Sequence, residues 1–104
     1  MIVRRPLADV DLLAQAAFIA SDDPDAGRRL LAAAERTYAM LERMPRLGRR
    51  TPFRDPRTRE LRMRAVIGFP NQIVFYRPIR GGIDVVRVLH AARDLPRALR
   101  EPER

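Results

Sequence analysis

The spacing of apolar residues predicts two helices in the first half of the chain. In residues 7–20 apolar side chains recur every three or four positions, which is the period of an amphipathic helix. The same period predicts a second helix over residues 24–44, where Asp23 can cap the first turn and Pro24 suits the first helical position. Because the break between them is short, the two helices should form an antiparallel hairpin.

Alternating and continuous apolar runs predict three strands in the second half of the chain. Residues 60–67 alternate between the two faces of a strand. One face holds Leu61, Met63, Ala65 and Ile67, and the other holds Glu60, Arg62, Arg64 and Val66. Residues 72–77 are almost all apolar, as expected of a central strand, and residues 83–90 follow after a glycine turn at 80–82. The segment 45–58 is rich in Pro, Gly and Arg, so we expect a loop there.

The two ends of the chain complete the predicted architecture. Residues 2–5 form a short β-prone segment, and Asp94 can cap a last helix over residues 95–100. The fold class is therefore α+β, with the order β-α-α-β-β-β-α and a helical hairpin on one face of an antiparallel sheet. The size fits one domain, 1–104, with a frayed polar tail at 101–104. The predicted core includes Leu12, Phe18, Leu30, Leu41, Met63, Phe75 and Val88.

Composition limits the chemistry that the chain can perform. There is no cysteine, His90 is the single histidine, and no acidic cluster has suitable spacing, so we expect no metal and no cofactor. No apolar run approaches the length of about 18 residues that a membrane span needs, and a cytoplasmic location is expected. The formal net charge is +8, and all 21 basic residues are arginine. This charge predicts attraction to nucleic acid or to an acidic protein, the alternative being a solvated basic surface.

Seven short strings carry a more specific signal. They are PLADVDL at 6–12, FIA at 18–20, DDPDAG at 22–27, LERMPRLGR at 41–49, RELRM at 59–63, IVFYR at 73–77 and VRVLHAARD at 86–94. In this order, and on these predicted elements, they resemble the RelE/ParE toxin family over residues 2–99. The corresponding family patterns are P-x-A-x-x-D-L, Y-I-A, D-x-P-x-A-A, L-x-x-x-P-x-x-G-R, R-x-L-x-V, I-x-x-Y-R and V-x-V-L-H-x-A-R-D. The chain departs from them with Gly27 in place of alanine and Met63 in place of valine.

The resemblance implies the toxin of a type II toxin–antitoxin system, whose active surface is masked by a cognate antitoxin. In the ParE branch the implied target is DNA gyrase, and in the RelE branch it is mRNA on the ribosome. We expect a ParE-like inhibitor of gyrase that is not an enzyme. The alternative is a RelE-like, ribosome-dependent mRNA endoribonuclease, and a weaker third hypothesis is a basic nucleic-acid-binding domain. The antitoxin should be acidic and form a hetero-oligomer with the toxin through an apolar groove with an arginine rim.

The choice between the branches depends on which residues could catalyse RNA cleavage. Cleavage without a metal needs a general base and a general acid. The resemblance places Arg62 and Arg93 near positions where the family carries catalytic arginines, and His90 is the one candidate acid or base. The chain has no lysine, and no tyrosine or histidine follows Arg93. If the chain were a nuclease, Arg62, His90 and Arg93 would be catalytic; we favour a structural role for His90.

Arginines on the predicted strands are the candidates for binding the target or the antitoxin. Guanidinium groups bind carboxylates and phosphates through two parallel hydrogen bonds. The candidates are Arg62, Arg64, Arg77, Arg87 and Arg93. For the arginines of the 46–57 loop a solvated surface is an equal alternative. Arg93 could also pair with an acid from the first helix, while Tyr76 is interpreted as a core residue.

Overall fold

A computed structural model describes residues 1–100, and within this range it contains three helices and five strands. They are β1 (Ile2–Arg4), α1 (Pro6–Ala20), α2 (Pro24–Arg43), β2 (Arg49–Arg50), β3 (Arg62–Val66), β4 (Phe69–Ile79), β5 (Gly82–His90) and α3 (Leu95–Leu99). The α+β class and the predicted order are confirmed, with β2 as an additional short strand inside the predicted loop. The tail predicted to fray, 101–104, lies outside the described residues. No helix within the described range is long and apolar enough to cross a membrane.

The five strands form one sheet in the order β1-β5-β4-β3-β2. Strands β3, β4 and β5 make the predicted antiparallel meander, in which Val74 lies opposite both Arg64 and Val88. Strand β1, however, runs parallel to β5, with Ile2 opposite Ile83. The prediction of a wholly antiparallel sheet was therefore wrong at this edge. The long connection that parallel strands require consists of the helical hairpin followed by β2, β3 and β4.

Local capping explains where α2 and α3 begin. The Asp23 carboxylate accepts the backbone N–H groups of Asp25 (3.1 Å) and Ala26 (3.2 Å), and Asp94 accepts that of Arg97 (3.3 Å). Both predicted caps are confirmed. Farther along the first turns of α2, an added Cβ on Gly27 would lie 2.7 Å from a backbone oxygen of α1. Glycine at this position therefore lets the two helices approach closely.

Each face of the sheet has its own apolar core. The larger core lies under the helical hairpin and includes Leu30, Leu41 and Val88, all fully buried. The smaller core lies on the opposite face beneath α3. It contains Leu61, Ile73, Phe75, Leu89 and Ala98.

Most of the predicted core is buried, but Phe18 is 80% exposed. Helix α1 carries apolar side chains around most of its circumference, so the three-to-four-residue period did not identify the side that faces the sheet. That side contains Ala8, Leu12 and Ala16. Met63 is only partly buried against the smaller core. Ile67, predicted on the apolar face of its strand, is 42% exposed because β3 ends at Val66.

Candidate interaction surfaces

Arg87 lies in the interior. Its side chain is 4% exposed, and its Nε and Nη2 donate to the two carboxylate oxygens of Asp11 at 2.7 and 2.8 Å. Its Nη1 donates to the carbonyl of Ala98 at 2.8 Å. Arg87 thus joins β5 to α1 and α3, and we remove it from the candidates for direct contact with a partner. An acid of α1, Asp11, therefore pairs with an arginine of β5.

Two side chains of α1 also occupy the edge of the sheet beyond β1. The last residue of β1, Arg4, pairs with Val85, and beyond it no strand of residues 1–100 pairs with β5 on that side. There the N–H of Val88 donates to Asp11 (3.1 Å), and the Gln15 amide donates to the carbonyl of Val88 (2.6 Å). These side chains satisfy backbone groups that a neighbouring strand would otherwise bind. The PLADVDL string therefore includes a residue, Asp11, that completes the sheet edge.

The three residues proposed for a nuclease are not gathered into one cluster. Arg62 lies opposite Tyr76 on β4, whereas His90 lies opposite Gln72. These positions are four residues apart along β4, roughly 13 Å at about 3.3 Å per residue, and β4 itself separates β3 from β5. Arg93 is exposed in the turn after β5, where its N–H donates to the carbonyl of His90 (3.0 Å).

The hydrogen bonds of Arg62 and His90 hold nearby backbone segments in place. Arg62 Nη1 donates to the carbonyl of Gly48 at 2.8 Å, which binds the segment after α2 to the sheet. The half-buried His90 accepts the N–H of Ala92 on Nδ1 at 3.0 Å, within its own turn. This contact fits the structural role favoured for His90.

Tyr76 anchors the same segment from the sheet. Its hydroxyl donates to the carbonyl of Pro45 (2.7 Å) and accepts the N–H of Gly48 (2.8 Å). A Cβ on Gly48 would lie 2.6 Å from that hydroxyl oxygen, so this position requires glycine. Burial raises the pKa of Tyr76, although the hydrogen bond from Gly48 opposes the shift. The proline and glycine of the LERMPRLGR string therefore shape the chain next to the sheet.

An apolar groove lies beside this anchored segment at the β2–β3 edge. It has a volume of about 620 Å³. Its apolar lining, which defines the apolar groove, consists of Met40, Leu47, Met63, Ala65, Val66, Ile67, Pro70 and Ile73. Arg49 and Arg64 stand at its rim. Because β2 pairs with β3 only at Arg62 and Met63, Ala65 has no strand beside it on this side within the described range.

A second surface, the arginine cleft, consists of two adjoining depressions that share Arg77. One depression has a volume of about 500 Å³ and the other about 300 Å³. The larger is lined by Arg46, Arg50, Glu60, Arg62, Arg77 and Pro78, and the smaller by Arg5, Arg57, Leu61, Arg77, Val86, Leu99 and Arg100. The structure thus places Arg62 and Arg77 in the cleft and Arg64 at the groove.

The family of the chain follows from a comparison with known proteins. Residues 2–95 match the model of a family described as ParE toxin of type II toxin-antitoxin system, parDE. The chain belongs to this ParE toxin family. No curated protein matches the chain. As a ParE-family member it is the toxin of a type II toxin–antitoxin system and has a cognate antitoxin as its partner.

Several residues of these surfaces on the ParE-family toxin were missing from the sequence prediction. Met40 of the apolar groove lies on α2, and Leu47 lies in the segment after that helix. Neither residue stands in a sequence pattern that indicates a binding surface. In the arginine cleft, Arg5 follows β1 and Arg100 follows α3, and Arg5 is held by Asp84 of β5. Only the parallel pairing of β1 with β5 brings Arg5 next to Asp84, and no local motif predicts that pairing.

Proposed function

We propose that this ParE-family toxin inhibits DNA gyrase by binding it and does not cleave RNA. The observation that carries the proposal is the separation of Arg62 from His90 across three strands of the sheet. A metal-free nuclease needs its acid, its base and its phosphate-binding cations around one phosphate. Arginine alone is a poor proton donor because its guanidinium remains charged far above neutral pH. With gyrase as its target, the toxin acts in the cytoplasm.

Two assays with the purified toxin test this proposal. Wild type and His90→Ala should both inhibit gyrase supercoiling, and neither should cut ribosome-bound mRNA. Arg93→Ala serves as a second variant from the same turn, and circular dichroism should verify that each variant is folded. Codon-phased mRNA cleavage that disappears in His90→Ala, with gyrase unaffected by the wild type, would establish the RelE-like endoribonuclease instead.

The apolar groove is the surface that we propose for the antitoxin. Its lining is apolar, its rim carries Arg49 and Arg64, and Ala65 has an open strand edge. An acidic antitoxin with an extended apolar segment could add to that edge and place its acidic side chains on the rim. Charge complementarity should make the association faster at low salt than at high salt.

A pair of matched substitutions tests the groove. Ile67 is 42% exposed in the groove, and Leu13 is 59% exposed on α1. The antitoxin is co-expressed from the gene next to that of the toxin. Ile67→Asp should weaken its binding by about tenfold or more, because the change places a carboxylate in an apolar contact. Leu13→Asp introduces the same charge elsewhere and should leave the affinity within a few fold. The reverse order would place the antitoxin on the exposed face of α1.

A further inference from the structure

The smaller depression of the arginine cleft combines an apolar floor with a basic rim. Leu61, Val86 and Leu99 form the floor of a space of about 300 Å³. The rim consists of Arg5, Arg57, Arg77 and Arg100. A volume near 300 Å³ is at the small end of the range for ligand pockets. The depression can therefore take one apolar side chain while the groups that flank it meet guanidinium groups.

Arg5 and Arg77 share one carboxylate beside this depression. Asp84 accepts hydrogen bonds from both Arg5, with its Nη2 at 2.9 Å, and Arg77, with its Nε at 3.3 Å. Burial opposes ionisation of Asp84, but the hydrogen bonds and charges of these two arginines lower its pKa below the usual value. Among residues 1–100, one carboxylate thus binds two guanidinium groups. Arg57 is paired with Asp55, whereas Arg100 adds a further charge at the rim.

Arg77 is the residue best placed to bind an incoming anion. Its side chain is 42% exposed, and within residues 1–100 only its Nε makes a hydrogen bond. Its terminal nitrogens remain available as donors to the cleft. Arg77 lines both depressions. An anionic group bound to it could therefore belong to an extended ligand that continues toward Arg46 and Arg50.

The chemistry of the lining favours a peptide over a nucleic acid. Proteins that bind single-stranded nucleic acids stack the bases on aromatic side chains. No aromatic residue lines either depression, and the floor is aliphatic. Carboxylates match guanidinium groups in planar pairs, and an aliphatic side chain matches this floor. An acidic peptide with one apolar residue satisfies both features.

We propose that the arginine cleft binds an acidic peptide segment, whose apolar side chain lies over Leu61, Val86 and Leu99 while a neighbouring carboxylate pairs with Arg77. The cleft shares no lining residue with the apolar groove. The protein therefore has a second binding surface, separate from the one proposed for the antitoxin. This inference does not depend on gyrase being the target.

Direct binding of a labelled probe to the purified protein tests the inference. The probe is a peptide with one leucine flanked on both sides by glutamates, measured by fluorescence anisotropy. Arg77→Gln should weaken its binding by about tenfold or more, because a charge-assisted pair is lost. Arg36→Gln, a change of the same kind at an exposed position of α2, should leave the affinity within about twofold. Replacing the leucine of the peptide with serine should also weaken binding.

The fold should survive the test variant, because Asp84 retains its hydrogen bonds from Arg5. Unchanged melting temperatures of Arg77→Gln and Arg36→Gln would show that binding alone is affected. Equal affinities of Arg77→Gln and wild type for the peptide would overturn the inference. Tighter binding of a single-stranded oligonucleotide of equal length, lost in Arg77→Gln, would also overturn it and assign the cleft to nucleic acid.

Discussion

Asp11 and Asp84 both bind arginines of the sheet, and they do so in opposite ways. Asp11 pairs with Arg87, and the two side chains are 8% and 4% exposed. Asp84 is shared by Arg5 and Arg77, which remain 29% and 42% exposed. The first site joins one carboxylate to one guanidinium group and is enclosed by α1, β5 and α3. At the second site two guanidinium groups bind one carboxylate, and the site opens into the arginine cleft.

The difference shows which arginines of a basic protein are available to a partner. Arg87 contacts a carboxylate and a carbonyl in the interior, so it stabilises the fold. Arg77 lies on the adjacent strand, β4, and shares the carboxylate of Asp84 with Arg5. Exposure and the number of arginines per carboxylate therefore separate a structural arginine from a binding one. The net charge of the chain does not distinguish these two kinds of arginine.

The largest expected effect comes from deleting the two carboxylates in turn. Asp11→Ala removes the carboxylate that binds the buried guanidinium of Arg87, and it also removes the acceptor of the Val88 N–H. This change should cost about 3–5 kcal/mol in the free energy of unfolding. Asp84→Ala should cost only about 1 kcal/mol, since Arg5 and Arg77 can turn toward solvent. Urea unfolding followed by circular dichroism at neutral pH measures both losses.

Asp9→Ala is the control for these deletions. Asp9 is an exposed acid on the same helix as Asp11, and its loss should change the free energy of unfolding by less than about 0.5 kcal/mol. Equal losses for Asp11→Ala and Asp84→Ala would contradict the distinction between an enclosed and an open site. A small loss for Asp11→Ala would show that Arg87 reaches water when its partner is removed.

Alkaline pH tests how well the helix-covered region excludes water. Tyr38 is 1% exposed in the core next to the sheet, and burial raises its pKa to about 12 despite the opposing charge of Arg4. Between pH 10 and 12 the unfolded chain loses this proton while the folded chain keeps it. The stabilisation present below pH 10 is therefore lost as the pH rises, by about 2–3 kcal/mol in total.

Tyr38→Phe is both the test and the control for this pH dependence. The Tyr38 hydroxyl has no hydrogen-bond partner among the described residues, so its removal should cost little at pH 8. Urea unfolding at several pH values from 8 to 12 should give a shallower alkaline decline for Tyr38→Phe than for the wild type. Identical declines would mean that solvent reaches the ring and that this region is less enclosed than the Asp11 site suggests.

Local chemistry made much of the fold predictable. The caps at Asp23 and Asp94 depend on hydrogen bonds within three residues, and Gly81 supplies the positive φ that its hairpin turn needs. The strands of the meander followed from their apolar runs because each face packs against a core. For the same reason Phe75 and Tyr76 could be assigned to the core before their contacts were known.

The surfaces could be predicted only in part, because they depend on contacts between distant elements. Arg62, Arg64 and Arg77 were identified as candidates from their strands, and they line the groove or the cleft. The burial of Arg87 depends on Asp11, which lies 76 positions earlier in the chain. Phe18 was misplaced because α1 is apolar on most sides, and helical period alone does not orient such a helix.

Arg4 should have only a small effect on stability, because its ion pair with Glu35 is exposed to solvent. It pairs with Glu35 through both terminal nitrogens, one of them at 2.6 Å, and its guanidinium lies 5.2 Å from the centre of the Tyr38 ring. The ion pair is solvent-exposed, so Arg4→Gln should cost about 0.5–1 kcal/mol in the free energy of unfolding. Glu35→Gln retains the contact with the ring and should cost less than Arg4→Gln.

In about 1 M salt, where charges are screened beyond about 3 Å, the loss from Glu35→Gln should nearly vanish and part of that from Arg4→Gln should remain. Urea unfolding at low and high salt measures both losses. A loss from Arg4→Gln as large as that from Asp11→Ala would show that enclosure does not determine how much these arginines stabilise the fold.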